Sequence, residues 1–594
     1  MVGREQQHAP APASEDPAPA PARAGVSTAS GWILPAALVV VAVAAWLVAA
    51  PTMATEQVDN RGLLFAASPL FALSLLLGTV AFLVAIGRRR HGVAAVALGV
   101  CVLLTRLPTA IAVTLPLYSW TYKHFGVIDY IGTYGRLDHG VDIYHSWPGM
   151  FAMFAWVTEL TGTDSFTLAL WFTPVFQLGL TAAIYVLARV WRLGRGPALV
   201  AAFLAHTVNW VAQDYYSPQA IALLLAVAVL ALLAHSGSRG GRANIGPYHP
   251  AAVWVALVPY AAVAVSHQLT PFWLLIVLGV ACLLGQVRPR WVLLLYVAIA
   301  VGWTAVSYDV VSSYGSIFSF DPMGNAARNV QGGNPSLGQR MTSWAGRFTT
   351  ISLWLVTGVV LLRRMRHRTD RHLTITLGAL ALGSFAVLLG QGYGGEAILR
   401  VFLYSIPGSA IVVAPGLERM LTGAVRWRRT GLAAATAWLV VLTGTAAQGF
   451  YGAWFSNRVD HDALQASVWI VDNASTDSHV LALAPGAPGR VVARYTEFVH
   501  HDRNFDGGVN AWDGWLGSDF EDDRVERMTN SMLSEGKPMY AVITQQMKVY
   551  NAYYGLFPPG AISRFEEQLL ANPHWRVLTH TSTLTVVQLE LEER

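Results

Sequence analysis

The chain has 594 residues, of which 54% are hydrophobic and only 13% are charged, and its mean hydropathy is +0.43. A soluble protein carries about 25% charged residues, so this composition excludes an ordinary soluble protein and predicts a polytopic membrane protein. The net charge of +5 does not indicate nucleic-acid binding, because the arginines stand at the ends of apolar segments, where orientation signals belong.

The first part of the chain divides into a tail and a long apolar region. Residues 1–30 are rich in Ala and Pro and lack an apolar run, which predicts a disordered tail. Residues 31–449 contain about thirteen apolar segments, which predict a mainly α-helical transmembrane bundle. The predicted spans are 31–50, 63–87, 92–115, 166–189, 196–211, 218–235, 252–266, 271–286, 291–309, 348–362, 373–391, 401–418 and 430–449.

The connectors between these segments alternate between two kinds. Six of them are rich in arginine, as at residues 88–90 and 363–371. The positive-inside rule places such connectors in the cytoplasm. The pattern therefore predicts a multi-pass protein of the cell (plasma) membrane with a cytoplasmic N-terminus. An odd number of spans then places residues 450–594 outside.

Beyond residue 450 the hydrophobic pattern changes to one typical of a small extracytoplasmic α/β domain, which we call the C-terminal domain (450–594). Helices are predicted at 461–473 and 563–571. Strands are predicted at 480–484, 491–495, 540–544 and 584–591.

The first large outside loop, residues 118–165, is called loop 1 here. Its first part interleaves aromatics with charged residues, including Lys123, His124, Tyr144 and His145, a combination typical of a sugar site. Asp129 lies in the apolar context F-G-V-I-D-Y-I, where a carboxylate is costly to desolvate unless it is used or paired. We therefore predict a functional role for Asp129, while a solvated loop remains the alternative for its charged neighbours.

Two further outside turns carry polar groups. The segment N-W-V-A-Q-D-Y-Y-S-P-Q at 209–219, called the 209–219 turn here, contains Asp214, Tyr216 and Gln219. Its density of hydrogen-bonding groups favours a site, although Asp214 could instead cap the helix that begins at Pro218. His267, in S-H-Q-L-T-P, is predicted on the same side as Asp129, with a structural role as the alternative.

The last candidates follow the long outside loop at 311–347, which is predicted to be a mobile gate or a plain linker. In Q-G-Y-G-G-E-A-I-L-R, Glu396 and Arg400 are spaced i, i+4 and can share one helical face. Arginine at a membrane surface suits a lipid phosphate. The alternative is an ion pair that satisfies only itself.

These motifs resemble those of the GT-C superfamily of polytopic glycosyltransferases, and most closely its actinobacterial type. The motifs are K-H-F-G-V-I-D-Y-I, Y-H-S-W-P-G, Q-D-Y-Y-S-P-Q, S-H-Q-L-T-P and Y-G-G-E-A-I-L-R. The resemblance implies a polyprenyl-phosphate-linked sugar donor, with Asp129 as catalytic base. It also implies that Asp214 supports the acceptor, the donor phosphate or a divalent metal (Mg or Mn) held with Asp129. Asp129 is followed by Tyr130 rather than by a second acid, which departs from the commonest pattern.

The sequence thus predicts an inverting membrane glycosyltransferase that acts on a cell-envelope glycan, lipid or protein. Arg400, Lys123 and His124 are predicted to bind the donor phosphate. The predicted substrate-binding residues are Asp214, Tyr216, Gln219, His267, Glu396, Tyr144 and His145. One cavity is expected to be lined by Asp129, Asp214, His267 and Arg400. The competing hypotheses are a lipid or glycan transporter (flippase) and a non-catalytic scaffold for envelope assembly.

Overall fold

The structure is a computed structural model that describes residues 29–591, apart from 237–241, 244–245, 248, 314–320, 328–332, 368–369, 391–394, 427, 508–514 and 522. The predicted tail therefore lies almost entirely outside the described residues. Part of the predicted gate at 311–347 lies outside them as well.

The N-terminal part of the chain is helical. Its helices before loop 1 are α1 (Ile33–Met53), α2 (Leu63–Ala66), α3 (Pro69–Gly87), α4 (His91–Arg106) and α5 (Pro108–Ile111). Loop 1 contains α6 (Ser119–Tyr134), α7 (Ile143–Ser146) and α8 (Gly149–Thr161). After loop 1 come α9 (Ser165–Val190), α10 (Arg195–Val208) and α11 (Pro218–Ser236), and then the short pair β1 (Arg242–Ala243) and β2 (Gly246–Pro247).

The second half of the bundle continues in the same way. Its helices are α12 (Ala252–Val255), α13 (Leu257–Ser266), α14 (Thr270–Leu283), α15 (Val292–Val306), α16 (Tyr308–Ser312), α17 (Pro322–Ala327), α18 (Leu337–Arg366), α19 (Arg371–Leu382), α20 (Ala397–Leu421) and α21 (Arg428–Tyr451). A 3₁₀ segment, Gly383–Leu389, extends α19.

Eight helical segments among the described residues have the length and composition needed to cross a membrane. They are α1, α3, α9, α11, α18, α19 with its extension, α20 and α21. Four shorter apolar helices accompany them, and α10 is a further short helix that is almost wholly buried. Every one of the thirteen predicted spans coincides with a helix, which confirms a mainly α-helical multi-pass membrane protein.

Helix α20 occupies the centre of the bundle. Its most apolar window is 89% buried, against 22% for α1, which lies at the periphery. Helices α10, α18, α19 and α21 pack around it. A Cβ atom at Gly408 would lie 2.4 Å from the backbone nitrogen of Ala381, so glycine is required for the close approach of α19 and α20.

The C-terminal domain is built on a four-stranded mixed sheet in the order β3 (His479–Leu481), β4 (Met539–Thr544), β6 (Leu584–Leu589) and β5 (Trp575–His580). Strands β3 and β4 are parallel, and the other two pairs are antiparallel. The remaining helices are α22 (His461–Asn473), α23 (Tyr495–His501), α24 (Arg524–Glu535), α25 (Gln545–Tyr554) and α26 (Ala561–Ala571). Alternate residues of β4 enter two separate cores, one on each face of the sheet.

The sequence predictions for this domain are confirmed for both helices and for the strands at 480–484, 540–544 and 584–591, within a few residues. The strand predicted at 491–495 is wrong. Val491 instead packs into the core of the helix bundle, and the backbone turns there into α23. This apolar segment is buried against the bundle beside α6 and not by pairing within a sheet.

Candidate functional site

Helix α6 carries three of the predicted site residues. It ends at Gly135, which adopts a left-handed conformation (φ 61°) that closes the helix. One face is buried and includes His124, Phe125 and Val127, whereas Asp129 is exposed. His124 and Asp129 therefore project from different sides of α6.

The Asp129 carboxylate is held by the C-terminal domain. Its Oδ2 atom accepts a hydrogen bond of 2.7 Å from the backbone N–H of Ala493. A single backbone donor fixes the orientation of the carboxylate and leaves further acceptor positions, since an ionised carboxylate has about four lone-pair sites. Asp129 can therefore accept a proton from a second partner.

Lys123 and His124 occupy different environments. The Nζ atom of Lys123 lies 4.9 Å from the ring centroid of Trp120. Burial lowers the pKa of Lys123, and the nearby Arg490 lowers it further, whereas Asp506 and Asp142 oppose the shift. The Lys123 ammonium would therefore gain from the approach of an additional anion.

The His124 ring is neutral at neutral pH. Burial lowers the pKa of His124 to about 4. Its Nδ1 atom lies 2.8 Å from the carbonyl oxygen of Tyr216, so Nδ1 carries the proton and donates it to that oxygen. Aromatic rings surround the imidazole, with Tyr144 at 5.2 Å and Phe151 at 5.4 Å. His124 thus joins α6 to the 209–219 turn.

Asp214 forms a buried ion pair with Arg106, a residue that was not among the sequence predictions. The Arg106 Nε atom donates to Asp214 Oδ2 at 2.7 Å, and both side chains are at most 4% exposed. The guanidinium also donates to the backbone oxygen of Asn209 at 2.7 Å and lies 3.8 Å from the Phe450 ring centroid. Arg106 falls inside the predicted span 92–115, and a charge within an apolar segment is itself a sign of a buried partner.

Gln219 begins a hydrogen-bonded chain between helices. Its Nε2 atom donates to the Tyr404 hydroxyl at 3.2 Å, and that hydroxyl lies 2.9 Å from the Thr270 hydroxyl. The Thr270 hydroxyl in turn lies 3.0 Å from Nδ1 of His267. The Trp273 ring stacks on Tyr404 at 4.7 Å. The chain holds α11, α14 and α20 together around His267.

Glu396 and Arg400 form the ion pair that their spacing predicts. The Arg400 Nη2 atom lies 2.6 Å from Glu396 Oε2. The Arg400 side chain is 8% exposed, and that of Glu396 is 38% exposed. Gly395 just before the helix has φ 91°, which favours glycine. The pair leaves the carboxylate side accessible and the guanidinium largely covered.

Tyr144 and His145 lie where loop 1 meets the C-terminal domain. Tyr144 packs edge-on against His124 and Phe151. His145 is fully buried, and its Nε2 atom lies 3.0 Å from the Tyr495 hydroxyl. Neither Tyr495 nor Ala493 could be identified from the sequence, because their roles depend on the packing of the C-terminal domain.

The 209–219 turn is the hub that joins several of the predicted residues. It contacts His124 through Tyr216, Arg106 through Asp214, and Tyr404 through Gln219. Asp214 and Tyr216 line a small cavity of about 10 Å³ that does not include Asp129, His267 or Arg400. Among the contacts described above, Asp129 stands apart from the hub.

The donor set does not fit the metal ion that the resemblance implied. Asp214 is engaged by Arg106, and the cavity that Asp214 lines does not include Asp129. Within the part of the chain that the structure describes, no group of three or more His, Cys, Asp and Glu side chains is arranged to hold a metal.

Comparison with solved structures finds chains of similar fold. The chain is similar to the oligosaccharyltransferase AglB of Archaeoglobus fulgidus in complex with an inhibitory peptide and a dolichol-phosphate (12% identity, 78% of this chain and 72% of that chain covered, TM-score 0.47). It is also similar to ArnT of Cupriavidus metallidurans bound to undecaprenyl phosphate (11% identity, 83% and 97% covered, TM-score 0.45). This likeness is one of fold. No protein-family model and no curated protein matches the sequence.

Proposed function

We propose that the protein is an integral membrane glycosyltransferase. It transfers a sugar from a polyprenyl-phosphate donor to a cell-envelope glycan, lipid or protein at the outer face of the membrane. The observation that carries this proposal is Asp129: an exposed carboxylate, oriented by the Ala493 N–H, on a helix that packs on a membrane-spanning bundle. Such a carboxylate is suited to act as a general base beside a lipid-bound substrate.

The proposed reaction is a single displacement. Asp129 takes the proton of an acceptor hydroxyl, and the acceptor oxygen forms a bond to the anomeric carbon of the sugar. The bond between that carbon and the phosphate oxygen breaks, so that polyprenyl phosphate leaves and the anomeric configuration inverts. The charge that develops on the leaving phosphate requires nearby cations.

Lys123 and Arg400 are the proposed phosphate ligands. Lys123 is a half-buried cation, and burial and the nearby Arg490 lower its pKa, so an additional anion would stabilise its charge. Arg400 is a buried guanidinium next to the accessible Glu396. His124 is neutral, so we assign it to the donor site as a positioning group that fixes the 209–219 turn through Tyr216.

The remaining predicted substrate-binding residues are proposed to shape the site. Asp214 and Gln219 act by fixing the turn in which they lie, because their side chains are engaged by Arg106 and Tyr404. His267 orders the end of α13 near Arg400. Tyr144 and Glu396 contact the acceptor, whereas the buried Tyr216 acts by holding His124. His145 acts through its contact with Tyr495.

A lipid transporter is the second candidate. The buried Arg106–Asp214 pair favours it, because ionisable groups inside helix bundles often mark transport pathways. His206 and Gln177 extend this polar network, with 3.2 Å between His206 Nδ1 and Gln177 Nε2. A transporter would use this network directly, whereas a transferase needs it only for structure.

The test is a reconstituted assay. Purified protein in lipid vesicles is given a panel of polyprenyl-phosphate sugars and cell-envelope acceptors, and the products are identified by mass spectrometry. We expect Asp129→Asn to lower turnover by about 10²–10⁴-fold with unchanged expression and fold. The matched control is Glu159→Gln, which removes an exposed carboxylate from the same loop. Wild-type turnover in Asp129→Asn would eliminate Asp129 as the base. Movement of the intact lipid between leaflets without sugar transfer would favour the transporter.

A further inference from the structure

Loop 1 and the C-terminal domain are interlocked, although they lie far apart in the sequence. Val141 of loop 1 is fully buried within one core of the C-terminal domain, among Tyr495, Phe498 and Val542. In the other direction, Val491 of the C-terminal domain enters the core of the helix bundle. Each part therefore supplies an apolar side chain to the other, which resists sliding of one on the other.

A directed chain of hydrogen bonds crosses this contact. The Asp138 N–H donates to His145 Nδ1 at 3.1 Å, so the ring proton lies on Nε2, which donates to the Tyr495 hydroxyl oxygen at 3.0 Å. The Tyr495 O–H then donates to Asp142 Oδ2 at 3.1 Å. Asp142 also caps α7 by accepting from the Tyr144 N–H at 2.8 Å. Burial raises the pKa of Tyr495, so its hydroxyl stays protonated and keeps this direction.

Arg490 anchors the other end of the segment. Its guanidinium binds both carboxylate oxygens of Asp506, at 2.7 and 2.9 Å, and donates to the Arg503 carbonyl oxygen at 2.9 Å. It also lies 3.8 Å from Asp142 of loop 1. The side chain is 8% exposed, so these charges interact with little screening. Residues 490–495 are thus fixed at both ends.

The backbone of this segment lies directly on α6. A Cβ atom built at Gly126 would stand 2.3 Å from the Arg490 carbonyl oxygen, a distance that no real side chain tolerates. Gly126 is one turn of α6 before Asp129, whose carboxylate receives the Ala493 N–H. The distance between α6 and this segment therefore sets the distance between Asp129 and its backbone donor.

We propose that segment 490–495 of the C-terminal domain is a positioning part of the transferase site. It orients Asp129 through the Ala493 N–H and locks the surrounding part of loop 1 through Tyr495. This inference rests on the proposed role of Asp129 as the base. It assigns the C-terminal domain a function in turnover.

The test enlarges the glycine at the contact. Gly126→Ala is compared with Gly132→Ala, a matched change on the same helix where a Cβ atom would meet nothing within 4 Å. In Gly126→Ala we expect faster hydrogen–deuterium exchange of peptides covering 490–495. We also expect kcat to fall by up to about 10²-fold, with the KM for the donor unchanged. Gly132→Ala should match the wild type in both measurements.

Tyr495→Phe is the second variant, and it tests the positioning role of segment 490–495 if Gly126→Ala does not fold. It removes one hydroxyl from a domain that otherwise keeps its core, and a lower kcat with an unchanged KM for the donor is expected again. Faster exchange at 490–495 with wild-type kcat, in either variant, would overturn the positioning role. Unchanged exchange in Gly126→Ala would overturn the close contact itself.

The exchange measurement separates this inference from the proposed function. Asp129→Ala removes the acceptor of the Ala493 N–H and should speed exchange at that amide whether or not the protein transfers sugar. If no donor supports transfer by the wild type, the proposed function fails while the exchange results still report on the contact.

Discussion

Two aspartates of this protein differ in nearly every physical respect. Asp214 is buried among membrane helices and bound to Arg106, whereas Asp129 is exposed on a loop helix and held by one backbone N–H. A carboxylate in the first setting has its charge fully compensated. A carboxylate in the second setting keeps room for another partner. The comparison teaches that an acidic residue on the active side of a membrane protein is a candidate base only if its lone pairs remain available.

The largest effect is expected from Arg106→Ala, which removes the ion-pair partner of Asp214. Removing one member of a buried ion pair leaves an uncompensated charge and costs about 3–5 kcal/mol. We expect a large fall in the unfolding temperature of the purified protein, measured by the intrinsic fluorescence of its tryptophans. The double variant Arg106→Met/Asp214→Leu should recover much of the loss, because an apolar pair of similar volume needs no compensation. A stable Arg106→Ala protein would show that Asp214 has another partner.

A second variant tests whether the hydrogen-bonded chain through Tyr404 stabilises the helix bundle. Tyr404→Phe removes the hydroxyl that links Gln219 to Thr270. Leaving buried partners unsatisfied should cost about 1–3 kcal/mol, seen as a lower unfolding temperature. Tyr308→Phe is the control, since Tyr308 is 54% exposed. Equal effects of the two changes would contradict a structural role for this chain of hydroxyls.

The smallest expected effect is a dependence of the protein's stability on pH that arises from His124. The folded-state pKa of His124 is about 4, below its ordinary value of 6.5, because burial outweighs the Tyr216 carbonyl and Asp142, and Lys123 adds to the lowering. Its contribution to stability is therefore complete above pH 6.5. It is lost as the pH falls from 6.5 toward 4, at up to about 1.4 kcal/mol per pH unit.

The measurement for this prediction is the unfolding temperature between pH 7.5 and pH 5.5. We expect His124→Gln to flatten the dependence without removing it, because burial also lowers the pKa of His145. An unchanged slope in His124→Gln would contradict the assignment of a buried neutral ring.

The sequence predicts the helices of the bundle well, because an apolar segment of the right length has few alternatives in a membrane. Prediction from the sequence is less successful where a residue contacts a partner that is distant in the chain. Val491 looked like part of a strand, but it packs into the core of the helix bundle beside α6. Arg106 lies inside a predicted span and was not among the predicted site residues, although its charge alone required a partner such as Asp214.

The site was harder to predict than the fold for the same reason. Local motifs singled out Asp129 and the 209–219 turn. The donor to Asp129, however, is the backbone N–H of an alanine. A backbone donor cannot be recognised from the type of side chain at that position. His145 appeared to be a substrate ligand by its aromatic context, but its neighbour is Tyr495, a residue that only tertiary packing brings near. Those assignments stay predictions until the variants are measured.

The contact between Asp129 and Ala493 also has a consequence for biosynthesis. The two residues are separated by 364 positions in the chain. At synthesis rates of about 5–20 residues per second, roughly 20–70 s pass between the appearance of the carboxylate and that of its donor. During that interval the membrane already holds loop 1 without the segment that orients it. The Ala493 N–H can therefore orient Asp129 only after most of the chain has been made.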